Sequence, residues 1–379
     1  MRINVKEAKY AVKGYNSAMI NSSAPTSAYD TLWPLVRPPG ACDRIIEDAA
    51  FLNPAAARLV NLIGAPMAAY LLGSGLTESL GIPELSPERL KRDRLRNSFL
   101  RNNGLKWAGF IAETGIDVMY LKGFATTHDI YPDPDLRSMT DIDILLRRAD
   151  LNRFISAFRE KGFDFRKTPE TPLWGFISNA SFLPFCSSDG VTNIDIHIAP
   201  DDYPVHRSLD TETLFAASRM IEVNGQTIRL PSRDHLFALA ITNAIRDKFE
   251  ADSLKGMIDA LTFLFLDDWQ VDWALIEDLA RRGGFAKGLS CFLKLIQHVN
   301  PPPAPLPGQI IKPYHGATAI EFDHLLGEML TLFPEEPTMF TRLKRETLLT
   351  AEPRTIVWKN LRRLKGLVSP SQGLPSESS

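Results

Sequence analysis

Thr140-Asp141-Ile142-Asp143-Ile144-Leu145-Leu146 is the stretch on which the fold turns. Two aspartates alternate with branched apolar residues, and a strand repeats its facing every second residue. Asp141 and Asp143 therefore share one face, and Ile142 and Ile144 the other. At roughly 3.3 Å rise per residue the two carboxylates stand about 6–7 Å apart along the strand and repel each other. A folded protein keeps such a pair when something cationic sits between them. One or two Mg²⁺ ions carrying phosphate are the usual candidates. The plainer reading is a solvent-facing strand with ordinary charges, but Asp is disfavoured in strands and recurs here in one apolar alternation.

Two neighbouring segments share the pattern. Upstream, Val118-Met119-Tyr120-Leu121-Lys122-Gly123 reads as an apolar strand ending in Lys-Gly. Downstream, Asn193-Ile194-Asp195-Ile196-His197-Ile198 is another alternating strand, with Asp195 and His197 on its polar face. Lys122-Gly123 falls where a strand meets a helix N-terminus. Backbone N–H groups there favour phosphate, and Gly permits close approach. Arg137 lies four residues before Asp141, after Tyr131-Pro132-Asp133-Pro134-Asp135. It either clamps phosphate or pins the Asp loop by an internal ion pair. Asp133 and Asp135 suggest a calcium loop, but Leu136-Arg137-Ser138 supplies neither the third ligand nor the Gly that an EF-hand needs.

In these residues (strand–Lys-Gly, Tyr-Pro, Arg then Asp-x-Asp, Asp-x-His) the chain resembles the polymerase-β-like nucleotidyltransferase superfamily. Within it, the closer resemblance is to a bacterial group of uncharacterised nucleotidyltransferases, over about residues 85–265. The resemblance implies an α+β fold: a polymerase-β-like nucleotidyltransferase core with a small mixed sheet, plus N- and C-terminal helical regions. It implies Mg²⁺-dependent transfer of an NMP group from an NTP to a hydroxyl acceptor, with release of pyrophosphate. Two ions would be held by Asp141, Asp143 and Asp195, and Mn²⁺ could substitute. Asp195 would complete the site of the ion that carries the nucleophile. Lys122, Gly123, Arg137 and Lys255 would serve the nucleotide and its phosphates. The superfamily usually shows Gly-Ser at the strand–helix turn, so a serine hydroxyl contact is missing here and Lys122 would act as a point charge. His197 would orient the acceptor, assist proton transfer or stack on a base, unless it is simply a polar strand residue. Lys255 and Asp259 are one helical turn apart, so a plain i,i+4 pair is the alternative for Lys255.

Composition bounds the rest. The chain has 379 residues, 44% hydrophobic and 23% charged, with a formal net charge of −2. No global basic field argues for bulk nucleic-acid binding. The basic runs Arg89–Arg96 and Lys359–Lys365 read as solvated helix faces. Cys42, Cys186 and Cys291 are widely spaced and odd in number, which suits a reducing, cytoplasmic setting. The other six histidines show no paired ligand spacing, and the N-terminus shows no signal-peptide pattern. The apolar segment Leu59–Leu76 is broken by Gly64, Pro66, Gly73 and Ser74, too short to span a bilayer, and reads as buried helix.

The expected organisation is a flexible arm over 1–40, a helical region over 41–115, a catalytic core over 116–235 and a helical domain over 236–299. A Pro-rich linker, further helices and a disordered tail follow over 300–379. A helix begins after Ser86 and breaks near Asn102-Asn103-Gly104. Strands run over 116–121 and 141–146, with a helix over about 123–130 between them. Asp150 caps the most regular helix, which carries Leu151, Phe154, Ile155 and Phe158 and stops at Gly162. Residues 175–185 and 191–198 form a hairpin, Asn224-Gly225 turns a second one, and Ser232 caps the next helix. Helices recur near 317–333 and 354–366.

The sequence leaves the base of the NTP open, and the acceptor as well: a small molecule or sugar, a peptide or protein side chain, or an RNA end. Rival readings are a non-catalytic nucleotide-binding scaffold of the same fold, a phosphotransferase, and a helical interaction protein using segment 59–76.

Overall fold

A computed structural model describes residues 57, 59–72, 81–166, 182, 184–250, 253–299, 302–311, 314–330, 338–350, 354–357 and 361. The expected arm, most of the expected strand at 175–185, the run 359–365 apart from Leu361, Cys42 and the expected tail lie outside the described residues.

The described chain is α+β, as expected. Helix α1 (Ala65–Leu72) and the long α2 (Pro87–Thr114) precede the sheet. Then come β1 (Val118–Tyr120), α3 (Lys122–Asp129), β2 (Ile142–Leu146), α4 (Leu151–Arg159), β3 (Phe163–Phe165), β4 (Phe185–Ser187) and β5 (Asn193–His197). These strands make one five-stranded mixed sheet in the order β1-β2-β5-β4-β3. β2 runs antiparallel to β1 and parallel to β5, and β4 is antiparallel to both β5 and β3. A short helix α5 (Thr211–Ala216) leads to the hairpin β6 (Arg219–Val223) and β7 (Gln226–Leu230), which packs against β1 and α2. Helices α6 (Arg233–Arg246), α7 (Leu254–Leu264), α8 (Trp273–Arg282), α9 (Ala286–Val299), α10 (Ala317–Leu330) and α11 (Met339–Leu349) complete it.

The alternation in β2 and β5 does what its period dictates. Ile194 and Ile196 are buried on one side, while Asp143 and Asp195 stand directly beside each other in the parallel register on the other. Beneath the sheet Trp107, Phe154, Phe158, Phe163 and Phe185 form an aromatic cluster; Phe154 and Phe158 stack at 4.3 Å between centroids, and Trp107 meets Phe163 edge-on at 4.7 Å. α4 contributes Leu151, Phe154, Ile155 and Phe158, all buried, as the i, i+3, i+4, i+7 pattern requires.

Three expectations change in detail: those for α2, for Asp150 and for the number of elements. α2 runs unbroken through Asn102-Asn103-Gly104, because Gly104 is where the helix approaches the core. A Cβ there would stand 2.4 Å from Phe124 Cε2 and 3.1 Å from Ile142 Cδ1. Asp150 makes no side-chain cap: it ends a 3₁₀ turn in helical geometry, not the extended backbone that a capping residue usually adopts. β3, α5 and α11 are added; β3 and α5 are too short to show a period, and α11 mixes apolar and charged residues around its face. In the C-terminal part, residues 354–357 are helical and the described Pro-rich residues 302–308 are irregular. The turn chemistry holds elsewhere. Asn224 and Gly225 have φ of +51° and +76°, which the mirror-image hairpin turn demands, and Ser232 accepts a hydrogen bond from the His235 N–H. Among the described residues no helix is long and apolar enough to cross a membrane.

Candidate active site

β2 and β5 deliver three side chains to one point. His197 Nε2 lies 2.9 Å from Asp143 Oδ1 and 3.1 Å from Asp195 Oδ2. The ligand atoms of Asp143, Asp195 and His197 all lie within 4.8 Å of one another. A fourth group enters from the β1–α3 turn. Leu121 donates its N–H to the Asp143 carbonyl, extending the β1–β2 ladder by one bond. Lys122, the first residue of α3, then takes a positive φ of +44°. That kink sends its ammonium into the cluster, where Nζ donates to Asp143 Oδ1 at 2.5 Å and lies 3.3 Å from His197 Nε2 and 3.9 Å from Asp195 Oδ2. A non-Gly residue pays for that geometry unless its surroundings hold it; here the Lys122–Asp143 ion pair does.

Electrostatics follow from burial and charge. Burial opposes the charge on Asp143, but Lys122 and the His197 hydrogen bond outweigh it and hold this carboxyl well below its usual range. Burial likewise opposes the Lys122 ammonium, and Asp143 and Asp195 raise it overall. Asp141, one residue ahead of β2, belongs to the same field but not to the three converging ligands. Burial, with repulsion from Asp143 and Asp195, pushes it up to about 6. Two carboxylates against one ammonium leave local negative charge, and two oxygens with one imidazole nitrogen are a donor set that suits a divalent ion.

The cluster opens into a cleft of about 290 Å³. Lys122, Gly123, Asp141, Asp143, Asn243, Arg246 and Lys255 are among its lining residues. Gly123 fits closely there: a Cβ would press on Met139 Cγ at 3.2 Å and come within 3.8 Å of Arg137 Cζ. Arg137 forms the internal ion pair. Its Nε and Nη2 donate to Asp259 at 2.9 and 3.0 Å, its Nη1 donates to the Ser138 carbonyl at 2.7 Å, and the Tyr131 hydroxyl donates to Asp259 at 2.6 Å. Asp259 is thereby taken, so Lys255 is not its i,i+4 partner, and among the described residues Lys255 has no ion pair. Burial, with the nearby Arg137 charge, lowers the Lys255 ammonium.

All eight residues singled out from the sequence thus lie at or beside one cleft. Sequence reading missed Arg246 and Asn243. Arg246 ends α6, pairs with Asp201 at 3.6 Å and Asp247 at 3.5 Å, and donates to the Asn243 side-chain oxygen. The available signal was Asn243, a polar residue in the stripe Leu236, Leu239, Ala240, all of which also face the cleft.

Comparison with known proteins adds the following. A family model described as an uncharacterised nucleotidyltransferase matches residues 81–301, more than half of the chain. Among solved structures the chain is similar to an antigenic nucleotidyltransferase-like protein from Paracoccidioides brasiliensis, at 14% identity and a TM-score of 0.32, over 51% of this chain and 92% of that one. No curated protein matches it. With the strand–Lys-Gly turn, the Asp-x-Asp and the Asp-x-His brought to one cleft, this chain belongs to the uncharacterised nucleotidyltransferase family.

Proposed function

We propose that the chain is a divalent-metal-dependent nucleotidyltransferase that moves an NMP group from an NTP to a hydroxyl acceptor. The observation that carries this reading is the parallel register of Asp143 beside Asp195, at a cleft that Lys122, Arg246 and Lys255 also line. In the reaction the acceptor oxygen attacks the α-phosphorus. The bond from that phosphorus to the β-phosphate oxygen breaks, pyrophosphate leaves, and the hydroxyl proton goes to a base. A bound divalent ion (Mg²⁺, or Mn²⁺ in its place) supplies charge neutralisation at the phosphates.

The chain's own residues divide the work. Gly123 and the N–H groups at the start of α3 receive phosphate oxygens, with Lys122 and Lys255 as point charges. Arg137 and Asp259 hold the loop that presents Asp141. Asp143, with Asp141, would hold both ions of a two-ion site, and Asp195 would hold only the one that carries the acceptor hydroxyl. The Asp195 side chain is 25% exposed where that of Asp143 is 8%, so Asp195 is the carboxylate that an acceptor hydroxyl can reach and to which its proton passes.

The test is incubation with each labelled NTP, metal and host lysate, reading pyrophosphate and the mass of the labelled product. Release of ADP-type products would instead indicate phosphotransfer, and nucleotide binding without turnover a scaffold. Asp195→Asn should lower turnover by several orders of magnitude while leaving metal–NTP affinity within a few fold. Near-normal pyrophosphate release from that variant removes Asp195 from the chemistry.

A further inference from the structure

We infer that His197 is itself a ligand of the ion, through Nε2, so that this chain builds a two-carboxylate, one-imidazole site that prefers Mn²⁺ to Mg²⁺. The inference rests on the reading that a divalent ion binds at Asp143 and Asp195.

The geometry argues for it. Adjacent donors around a six-coordinate ion with bonds of roughly 2.1 Å stand about 3.0 Å apart. His197 Nε2 stands 2.9 Å from Asp143 Oδ1 and 3.1 Å from Asp195 Oδ2, the spacing of adjacent donors on one ion, and the three ligand atoms all lie within 4.8 Å of one another. The ring is only 3% exposed and sits at the end of β5, paired beside β2, so it has little room to turn away. On its far side Nδ1 is buried and has no hydrogen-bond partner among the described residues. Nothing there dictates which nitrogen carries the proton, so the tautomer follows what occupies the Nε2 side. A cation already lies on that side: Lys122 Nζ, 3.3 Å away. With the proton on Nδ1, the Nε2 lone pair accepts from that ammonium, and the same lone pair serves a metal ion that displaces Lys122. Asp141, expected to bridge the ions with Asp143, is not among the three converging ligands.

The donor set then selects the ion. Mg²⁺ takes oxygen ligands and keeps its waters, whereas imidazole suits transition ions; Mn²⁺ combines an affinity for carboxylates with a place on the transition-metal series. The competing arrangement is an imidazolium that keeps its Nε2 proton and bridges the two carboxylates by hydrogen bonds. In that arrangement His197 cannot ligate.

Pulsed electron paramagnetic resonance on the full chain with one equivalent of Mn²⁺ and no nucleotide separates the two. The expected result is nitrogen modulation of the Mn²⁺ signal that switches to the ¹⁵N pattern when the protein is grown on ¹⁵N-histidine. Mn²⁺ should also outcompete Mg²⁺ by about tenfold or more. His197→Gln should lose the modulation and most of the preference. If that variant does not fold, the labelled wild type still reports whether a histidine nitrogen touches the ion. Mn²⁺ that binds with no histidine coupling overturns the inference and leaves nucleotidyl transfer intact. No Mn²⁺ binding at all overturns both.

Discussion

Asp141 and Lys122 make opposite demands on the protein, and each can be measured. Asp141 is raised from 3.8 to about 6 by burial and by Asp143 and Asp195. An acid whose pKa is higher folded than unfolded contributes stability below its unfolded value, and loses it as pH rises through the folded value. In chelator, this group's contribution is therefore full below about pH 4 and gone above about pH 6. Urea unfolding of wild type and Asp141→Asn across that window should show the variant gaining on wild type as pH rises, by on the order of 1–3 kcal/mol. Equal slopes would mean that the carboxyl is solvated. Lys122 occupies the position between the carboxylates that an ion would take. Lys122→Met should raise Mn²⁺ affinity in the absence of nucleotide, yet weaken triphosphate binding more than monophosphate binding. Titration calorimetry with and without nucleotide reads both effects. A fall in metal affinity would place the ammonium elsewhere.

At the scale of elements, two contacts tie the helices to the sheet. The Arg137–Asp259–Tyr131 group joins the loop before β2 to α7, and so positions Lys255 one turn away on the same helix. Arg137 and Asp259 are both buried. Removing one partner strands the other's charge, so Asp259→Ala should cost about 3–5 kcal/mol in denaturant unfolding. Loss of under about 1 kcal/mol would show that water replaces the pair. Gly104 is the second contact. Mid-helix Gly costs about 1 kcal/mol relative to Ala, and here the cost is accepted for the close approach to Phe124 and Ile142. Gly104→Ala should destabilise by about 1–3 kcal/mol despite its better helix propensity. A gain in stability would show that α2 can move off the sheet.

The whole molecule packs α3 on α6, and the β1–α3 turn, β2, α6 and α7 together line the cleft. Ligand binding there should report on global stability. An NTP present at 100 times its Kd adds about 2.7 kcal/mol to unfolding, visible as a higher Tm. The shift should need Mg²⁺ or Mn²⁺ and should be lost in Asp143→Asn; an equal shift in chelator would count against the metal-dependent reading.

Periodicity and turn chemistry are local, which is why so much could be read before the structure. Two-residue alternation placed Asp143, Asp195 and His197 on polar strand faces. Asn224-Gly225 and Ser232 announced a hairpin and a helix start, because only certain residues tolerate those dihedral angles or cap those amides. Pairing is not local. That β2 and β5 lie parallel and in register, so that Asp143 meets Asp195 and His197 meets both, depends on a connection through β3 and β4 that no window of sequence contains. The same holds for the choice left open at Arg137: its answer, Asp259, stands 122 residues away. Arg246 escaped notice because a helix-terminal Arg beside an Asp looks like any solvated pair until packing turns it into a cleft. The residue types and their facing were determined by sequence. Which of them share one point in space, and which charge answers which, was decided by the tertiary structure, because Coulomb energy and ligand geometry depend on distance through space and not along the chain.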